Sequence, residues 1–191
     1  MANVVIISGS PTANSRLYGL IQRSEEQLKS RGHEVVHLQV ADIPAEDLIK
    51  ANFAGPAVVA AVAQVEAADA VVIASPVYKA SFTGVLKTFL DLVPQKGFQR
   101  KIIVPLFIGG TIAHLLAIDY SLKPVASALG ATQFLPGVYA IDQQVERLDG
   151  GGFRLSDELT ARLDGTFAQL DEELQWQAKR QASPAAESAV D

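Results

Sequence analysis

The chain has 191 residues, of which 49% are hydrophobic and 19% are charged, and its formal net charge is −5. This composition is typical of one globular domain, and a negative charge without a basic run argues against nucleic acid as a partner. The sequence contains no cysteine, which excludes disulfides, thiol redox chemistry and thiolate-held metal sites, so a redox role would require a bound organic cofactor.

The composition shifts once, at the carboxyl end. Residues 177–191 are polar and alanine-rich without a periodic apolar stripe, so we expect a domain at 1–176 and a mobile tail at 177–191. No run of about 18 apolar residues occurs, and no basic segment or cleavage site precedes the first strand. We therefore expect no membrane association and a cytoplasmic location.

Strand and helix patterns alternate along the chain. Strands are predicted at residues 4–8, 35–40, 70–75, 102–108 and 134–141. Helices are predicted from Leu17 to a stop at Gly32, from Pro56, at 84–92, at 112–129 and from near Ser156, with 42–55 irregular. Pro136 marks the fifth strand as an edge strand or a bulge. This alternation predicts an α/β flavodoxin-like fold, a five-stranded parallel sheet of order 2-1-3-4-5 with helices on both faces.

In that order the carboxyl ends of strands one, three and four are neighbours. The segments that follow them are named here loop 1 (residues 9–16), loop 2 (residues 75–84) and loop 3 (residues 109–111). Because ligands of open α/β sheets bind at the switch point of the strand order, we expect the three loops to form one crevice.

Loop 1 combines hydroxyl, amide and guanidinium groups directly before a helix. Such groups, together with the backbone amides of a helix start, suit a terminal phosphate. The alternative is an ordinary polar turn capped by Ser15. The sequence has no P-loop and no G-x-G-x-x-G fingerprint, and Ser-Gly after strand one disfavours a magnesium-dependent phosphate receiver. The candidate phosphate-binding residues are Ser10, Thr12, Ser15, Arg16 and Leu17.

Loop 2 suits a flat aromatic ring. Its backbone can hydrogen-bond the polar edge of a heterocycle, and two aromatic side chains can border it. The candidates are Pro76, Val77, Tyr78, Lys79, Ser81, Phe82 and Thr83. As alternatives, Ser81 and Thr83 cap the next helix, and Lys79 either balances negative charge on the reduced form of a bound ring or is solvated.

Loop 3, Gly109-Gly110-Thr111, permits close approach of a ring to the backbone. Its alternative reading is a strand-to-helix turn. Together the three loops indicate a flavin site.

The predicted helix at 112–129 contains Pro124, which cannot donate to the carbonyl of Tyr120. A kink or a π-bulge at Tyr120 would relieve this fault, and such bulges are frequent at functional sites. The histidines carry less information: we expect His33 and His37 to be surface residues and His114 to be structural. No spacing suggests a metal site.

With these segments in view, the chain resembles the NADPH-dependent FMN reductases of the flavodoxin-like superfamily, in particular those that serve alkanesulfonate monooxygenases. The resemblance covers about residues 3–176. It rests on four segments: the Gly-Ser-Pro of loop 1 with Ser15-Arg16, Ala-Glu-Asp-Leu at 45–48, Ser-Pro-Val-Tyr-Lys-Ala at 75–80, and above all GGTIAHLLAIDYSLKPV at 109–125. Relatives often have arginine where Thr12 stands, so phosphate binding here must lean on Arg16, the hydroxyls and the loop amides.

The resemblance implies that NADPH reduces FMN and that the reduced FMN is supplied to an FMN-dependent alkanesulfonate monooxygenase in sulfur acquisition. It also implies a homodimer or homotetramer with Tyr120 at the interface, where it governs flavin release. Hydride passes between two cofactors, so we expect no catalytic acid or base from the protein.

Two other functions stay open. One is a flavoprotein with tightly bound FMN that reduces quinones, azo dyes or metal oxyanions, and the other is a non-enzymatic flavodoxin-type electron carrier. The sequence pattern also leaves open NADPH against NADH, and FMN against FAD or riboflavin.

Overall fold

The computed structural model describes residues 1–12 and 14–182, and strands alternate with helices along the chain. The strands are β1 (Asn3–Ser8), β2 (Glu34–Gln39), β3 (Ala70–Pro76), β4 (Ile102–Gly109), β5 (Gln133–Phe134), β6 (Val138–Ile141), β7 (Val145–Arg147) and β8 (Phe153–Leu155). The α-helices are α1 (Leu17–Ser30), α2 (Ala45–Ile49), α3 (Pro56–Glu66), α4 (Gly84–Leu90), α5 (Lys123–Ala128) and α6 (Asp157–Ala182).

The central sheet has the order β2, β1, β3, β4 and β5, with β6 also paired to β4, and all of these pairings are parallel. Every residue of β3 and β4 is buried, as expected of central strands that are covered on both faces. The predicted parallel sheet and its order are therefore confirmed. β7 and β8 form a separate antiparallel hairpin that the sequence did not predict.

The predicted fifth strand is divided into β5 and β6, which both pair with β4. Between them lies Pro136, which has no N–H to give to the sheet. The preceding N–H, of Leu135, still donates to the carbonyl of Ile103 at 2.9 Å. The chain therefore bends at Pro136 without leaving the edge of β4, and the predicted edge irregularity is confirmed.

Helices cover the two faces of the sheet with separate apolar clusters. On one face α1 and α6 pack together, and Leu163 and Phe167 of α6 join Leu20 of α1 in one cluster. The other face carries α3, α4 and α5. Each large apolar side chain that is fully buried contributes about 1.5–3 kcal/mol.

Helix α6 is longer than the sequence indicated. It continues to Ala182, past the domain boundary predicted at residue 176. The remainder of the predicted tail, residues 183–191, lies outside the described residues. No helix in the described part of the chain is long and apolar enough to cross a membrane.

The segment at 112–129 is not one continuous helix. A 3₁₀ turn at Ile112–His114 leads to a π-helical segment at Ile118–Leu122, and α5 follows with Pro124 in its first turn. Proline is tolerated there because first-turn N–H groups have no partner within the helix. Of the two irregularities expected at Tyr120, a kink or a π-bulge, the structure has the π-helical form.

The histidines occupy three different environments. The prediction of a surface position for His33 is wrong: Gly32, with φ of 81°, turns the chain beneath α6, and His33 Nε2 lies 3.1 Å from Asp171 Oδ1. His37 is half-buried, and burial lowers its pKa although Glu25 opposes the shift. His114 is exposed.

Lys101 provides a test of how α3 is terminated. Its buried Nζ donates to the carbonyls of Glu66 and Ala68, at 2.8 and 2.6 Å. Glu66 is the last residue of α3, whose carbonyl the helix end leaves without an internal donor, and Ala68 follows just beyond the cap. We expect Lys101→Met to lower the free energy of unfolding by about 2 kcal/mol, measured by urea denaturation. Lys87→Met, which removes an exposed pair with Asp91, should lower it by less than about 0.5 kcal/mol. Equal losses would contradict a capping role.

Candidate functional site

The loops that follow β1, β3 and β4 meet in one cleft of about 220 Å³. The parallel registers bring the carboxyl ends of these strands side by side, with Ser8 beside Ala74 and Pro76 beside Ile108. The cleft is lined by Thr12, Asn14, Ser15, Arg16, Pro76, Val77, Tyr78, Ile108, Gly109, Gly110, Asp142 and Arg147. A larger cavity, of about 440 Å³, lies beside Met1, His33 and α6 and contains none of the three loops.

In loop 1 the buried hydroxyl of Ser10 shapes the turn, because its Oγ donates to the carbonyl of Thr12 at 2.8 Å. The Oγ of Ser15 accepts the N–H of Leu17 at 3.2 Å, at the start of α1. The side chain of Leu17 is fully buried in the core. Thr12, Ser15 and Arg16 therefore line the cleft, whereas Ser10 and Leu17 support the loop from behind.

Two arginines join loop 1 to the β7–β8 hairpin. The Nε of Arg16 donates to the carbonyl of Val145 at 2.9 Å, and the Nη2 of Arg147 donates to the carbonyl of Asn14 at 2.7 Å. We name this reciprocal pair of hydrogen bonds the arginine clasp. Asp142 Oδ2 lies 3.9 Å from Nη1 of Arg16.

Sequence reasoning missed both Asp142 and Arg147. The only local sign was a pair of charged side chains near the end of a predicted strand. Nothing local shows that the hairpin folds back onto loop 1.

Loop 2 begins with a tight turn. Tyr78 and Ser81 exchange backbone hydrogen bonds of 2.9 and 3.2 Å, while Lys79 and Ala80 both adopt positive φ, 51° and 63°. Non-glycine residues rarely adopt this conformation, and such strain clusters at functional sites. The turn holds Tyr78 at the cleft with 53% of its surface exposed. Lys79 is exposed on the turn and does not line the cleft.

Farther along loop 2 the chain turns into the core. Phe82 is buried in the apolar cluster on the face that carries α3, α4 and α5, and it does not border the cleft as the sequence suggested. The buried Oγ1 of Thr83 accepts the N–H of Leu86 at 3.1 Å and donates to the carbonyl of Gly9 at 2.6 Å. The capping alternative for Thr83 is confirmed, and the same hydroxyl ties loop 2 to loop 1.

The two glycines of loop 3 meet different surroundings. A Cβ on Gly109 would lie 2.2 Å from the hydroxyl oxygen of Tyr139, whereas a Cβ on Gly110 would meet nothing within 4 Å. The Tyr139 hydroxyl donates to the carbonyl of Thr111 at 2.8 Å, and burial, with Asp142 adding to it, raises the pKa of Tyr139. The absence of a side chain at Gly109 therefore makes room for the Tyr139 hydroxyl, whereas at Gly110 it leaves open space beside the cleft.

Thr111 and Tyr120 lie outside the cleft lining. The Oγ1 of Thr111 accepts the N–H of Ala113 at 3.3 Å and caps the 3₁₀ turn that follows. Tyr120 is 79% exposed in the π-helical segment. The described residues contain no group of three or more histidine, aspartate or glutamate side chains that could hold a metal ion. The cleft thus offers a cationic end and a less polar wall to a flat, anionic ligand.

The family model of the NADPH-dependent FMN reductases matches residues 2–146. The chain belongs to this family. It is accordingly an oxidoreductase that uses NADPH and FMN. It is 50% identical over 147 residues to the FMN reductase (NADPH) of Pseudomonas putida, covering 77% of this chain and 75% of the relative.

Two further comparisons agree with this family and fold. The FMN reductase (NADPH) of Escherichia coli is 46% identical over 142 residues, which cover 74% of each chain. The solved apo structure of an NADH:FMN oxidoreductase superposes with a TM-score of 0.81 at 29% identity, covering 91% of this chain and 90% of that one.

The glycines of loop 3 provide a test of which residue serves the fold and which serves the ligand. We expect Gly109→Ala to lower the free energy of unfolding by about 2 kcal/mol, because its methyl group would overlap the Tyr139 hydroxyl. Tyr139→Phe should recover about 1 kcal/mol of this loss in the double variant. Gly110→Ala should keep full stability but weaken FMN binding. Thermal denaturation and FMN titration separate the two effects, and a stability loss in Gly110→Ala would contradict them.

Proposed function

We propose that the protein supplies reduced FMN, formed with NADPH, to a separate FMN-dependent monooxygenase that desulfonates alkanesulfonates, and that it does so in the cytoplasm. FMN is in this proposal an exchangeable substrate rather than a resident group. The observation that carries it is the cleft itself, which has a cationic end at loop 1 and an open wall at Tyr78 and Gly110.

The residues present fit FMN. Ser15 and Arg16 offer side-chain donors for its phosphate beside the start of α1, where the helix dipole favours an anion. Val77 and Gly110 offer an apolar edge and free space to the ring system. When bound, FMN supplies the hydride-accepting chemistry, and the protein orients the two ring systems without an acid or base.

The role in sulfur acquisition rests on likeness. The segment at 109–125 carries the closest resemblance to reductases of alkanesulfonate systems, and its π-helical form is present here. A relative in Pseudomonas putida named NADH-dependent FMN reductase SfnF is 32% identical over 141 residues, covering 72% of this chain and 76% of the relative. Because that relative is named for NADH, NADH stays an alternative hydride donor for this chain.

An exposed apolar surface follows loop 3 along the chain. Four large apolar side chains around the π-helical segment are between 45% and 79% exposed: Ile112, Leu115, Leu116 and Tyr120. Grouped apolar exposure of this kind marks interaction sites. We assign it to contact between copies of this chain, in a homodimer or homotetramer, so that assembly influences how readily flavin leaves.

The state of the purified protein tests whether flavin is a substrate. We expect protein purified without added flavin to be colourless and to oxidise NADPH only when micromolar FMN is supplied. Following NADPH absorbance with and without FMN, and then with a quinone or an azo dye, provides the measurement. Yellow protein with one FMN per chain that needs a quinone or dye would instead establish the tightly bound flavoprotein. Failure to oxidise NADPH under any of these conditions would point to an electron carrier.

Tyr120 tests the role of the π-helical segment in release. We expect Tyr120→Ala to retain FMN through purification, visible as flavin absorbance, because removal of the exposed ring disturbs the surface that favours departure. Trp176→Ala is the matched control, since it removes another exposed aromatic ring far along α6. Colourless Tyr120→Ala protein that reduces free FMN like the parent would show that the segment does not govern release.

A further inference from the structure

The β7–β8 hairpin reaches the phosphate-binding end of the cleft through Arg147. Its Nη2 donates to the carbonyl of Asn14 at 2.7 Å, and the carbonyl of Val145 in turn accepts the Nε of Arg16 at 2.9 Å. The two bonds of the arginine clasp hold the hairpin against loop 1. Each uses only one of the five N–H donors that a guanidinium carries, so both arginines keep donors for a ligand.

The two arginines differ in how their charge is balanced. Arg16 lies 3.9 Å from Asp142, whereas Arg147 has no carboxylate within salt-bridge distance among the described residues. Across the hairpin, Arg154 of β8 forms an ion pair with Glu146 of β7 at 3.1 Å. Arg147 is therefore the hairpin arginine whose charge is uncompensated, and it is also the one that lines the cleft.

An uncompensated guanidinium at a cleft wall suits a doubly charged phosphate monoester. Its planar fork can form two parallel charge-assisted hydrogen bonds with phosphate oxygens. Loop 1 faces the same point with the hydroxyls of Thr12 and Ser15 and the start of α1. Thr12 brings no charge, so Arg16 alone would otherwise meet the anion, with part of its charge already opposed by Asp142.

We propose that Arg147 binds the phosphate monoester of the nucleotide in this cleft and makes binding selective for a phosphorylated ligand. The role rests on the proposed function, since it concerns the same cleft. Two reactants carry such a group: FMN at the end of its ribityl chain and NADPH on a ribose. The position of Arg147 beside Asn14 of loop 1 favours the phosphate of FMN. The hairpin is then a part of the binding site that β1, β3 and β4 alone do not provide.

The test compares Arg147→Met with Arg154→Met, which removes the same charge from the same hairpin outside the cleft. FMN and riboflavin are titrated into each protein, and binding is followed by flavin fluorescence. We expect Arg147→Met to weaken FMN binding by about 10- to 100-fold and riboflavin binding by less than about twofold, because riboflavin lacks the phosphate. Arg154→Met should change neither. The salt dependence of FMN binding should also become shallower in Arg147→Met.

Steady-state kinetics with NADPH and NADH identify which phosphate is bound. A KM rise for NADPH but not for NADH in Arg147→Met, with FMN binding unchanged, would support the proposal and assign the contact to the dinucleotide. Equal weakening of FMN and riboflavin, or no change for any ligand, would overturn it and leave Arg147 as a brace for loop 1.

A third variant separates charge from folding. Arg147→Lys keeps the charge and one donor to Asn14, so it should retain the melting temperature and lose less FMN affinity than Arg147→Met. If the unaltered protein fails to reduce FMN, the proposed function fails. If it reduces FMN but Arg147→Met binds ligands like Arg154→Met, only the role of Arg147 fails.

Discussion

The parallel pairing of β1, β3 and β4 is the constraint on which the site depends. These strands are buried, so their backbone groups must be satisfied by neighbouring strands, and a break in pairing would leave polar groups without partners. Parallel direction then places all three carboxyl ends at one edge. Loops 1, 2 and 3 have to leave the sheet at that edge, and the cleft follows from this geometry before any ligand is considered.

A small number of hydrogen bonds hold the loops in place. The hydroxyl of Thr83 contacts both Gly9 and the start of α4, so loops 1 and 2 cannot separate without breaking a buried bond. The Tyr139 hydroxyl holds the carbonyl of Thr111 in the same way at loop 3. Both groups lie behind the cleft wall. Because these bonds fix the loop backbones from behind, the residues of the wall itself can be small, as Gly110 is.

Local pattern predicted the sheet because long runs of β-branched residues and the spacing of apolar residues are local properties. Pro136 and Pro124 marked the divided fifth strand and the π-helical segment for the same reason, since a missing N–H acts on near neighbours. The β7–β8 hairpin was missed because three-residue strands carry little periodic signal, and its docking depends on Arg16 and Val145, which are distant in sequence. Phe82 and His33 show a related limit, because local pattern did not reveal that Phe82 is buried in an apolar cluster or that His33 packs against Asp171 of α6.

The two ends of the cleft offer a ligand different contacts, and this difference bears on the proposed exchange of flavin. At loop 1 two guanidinium groups meet a helix start, while at the other end Tyr78 is more than half exposed and Gly110 faces empty space. A ligand anchored mainly by its phosphate keeps one ring face accessible to a hydride donor. Contacts between such an anion and the two arginines, of which Arg147 is exposed and Arg16 half-buried, are also weakened by salt and by competing phosphates. This combination fits the proposed exchange of flavin, whereas a protein that retains FMN through many turnovers would be expected to enclose the ring.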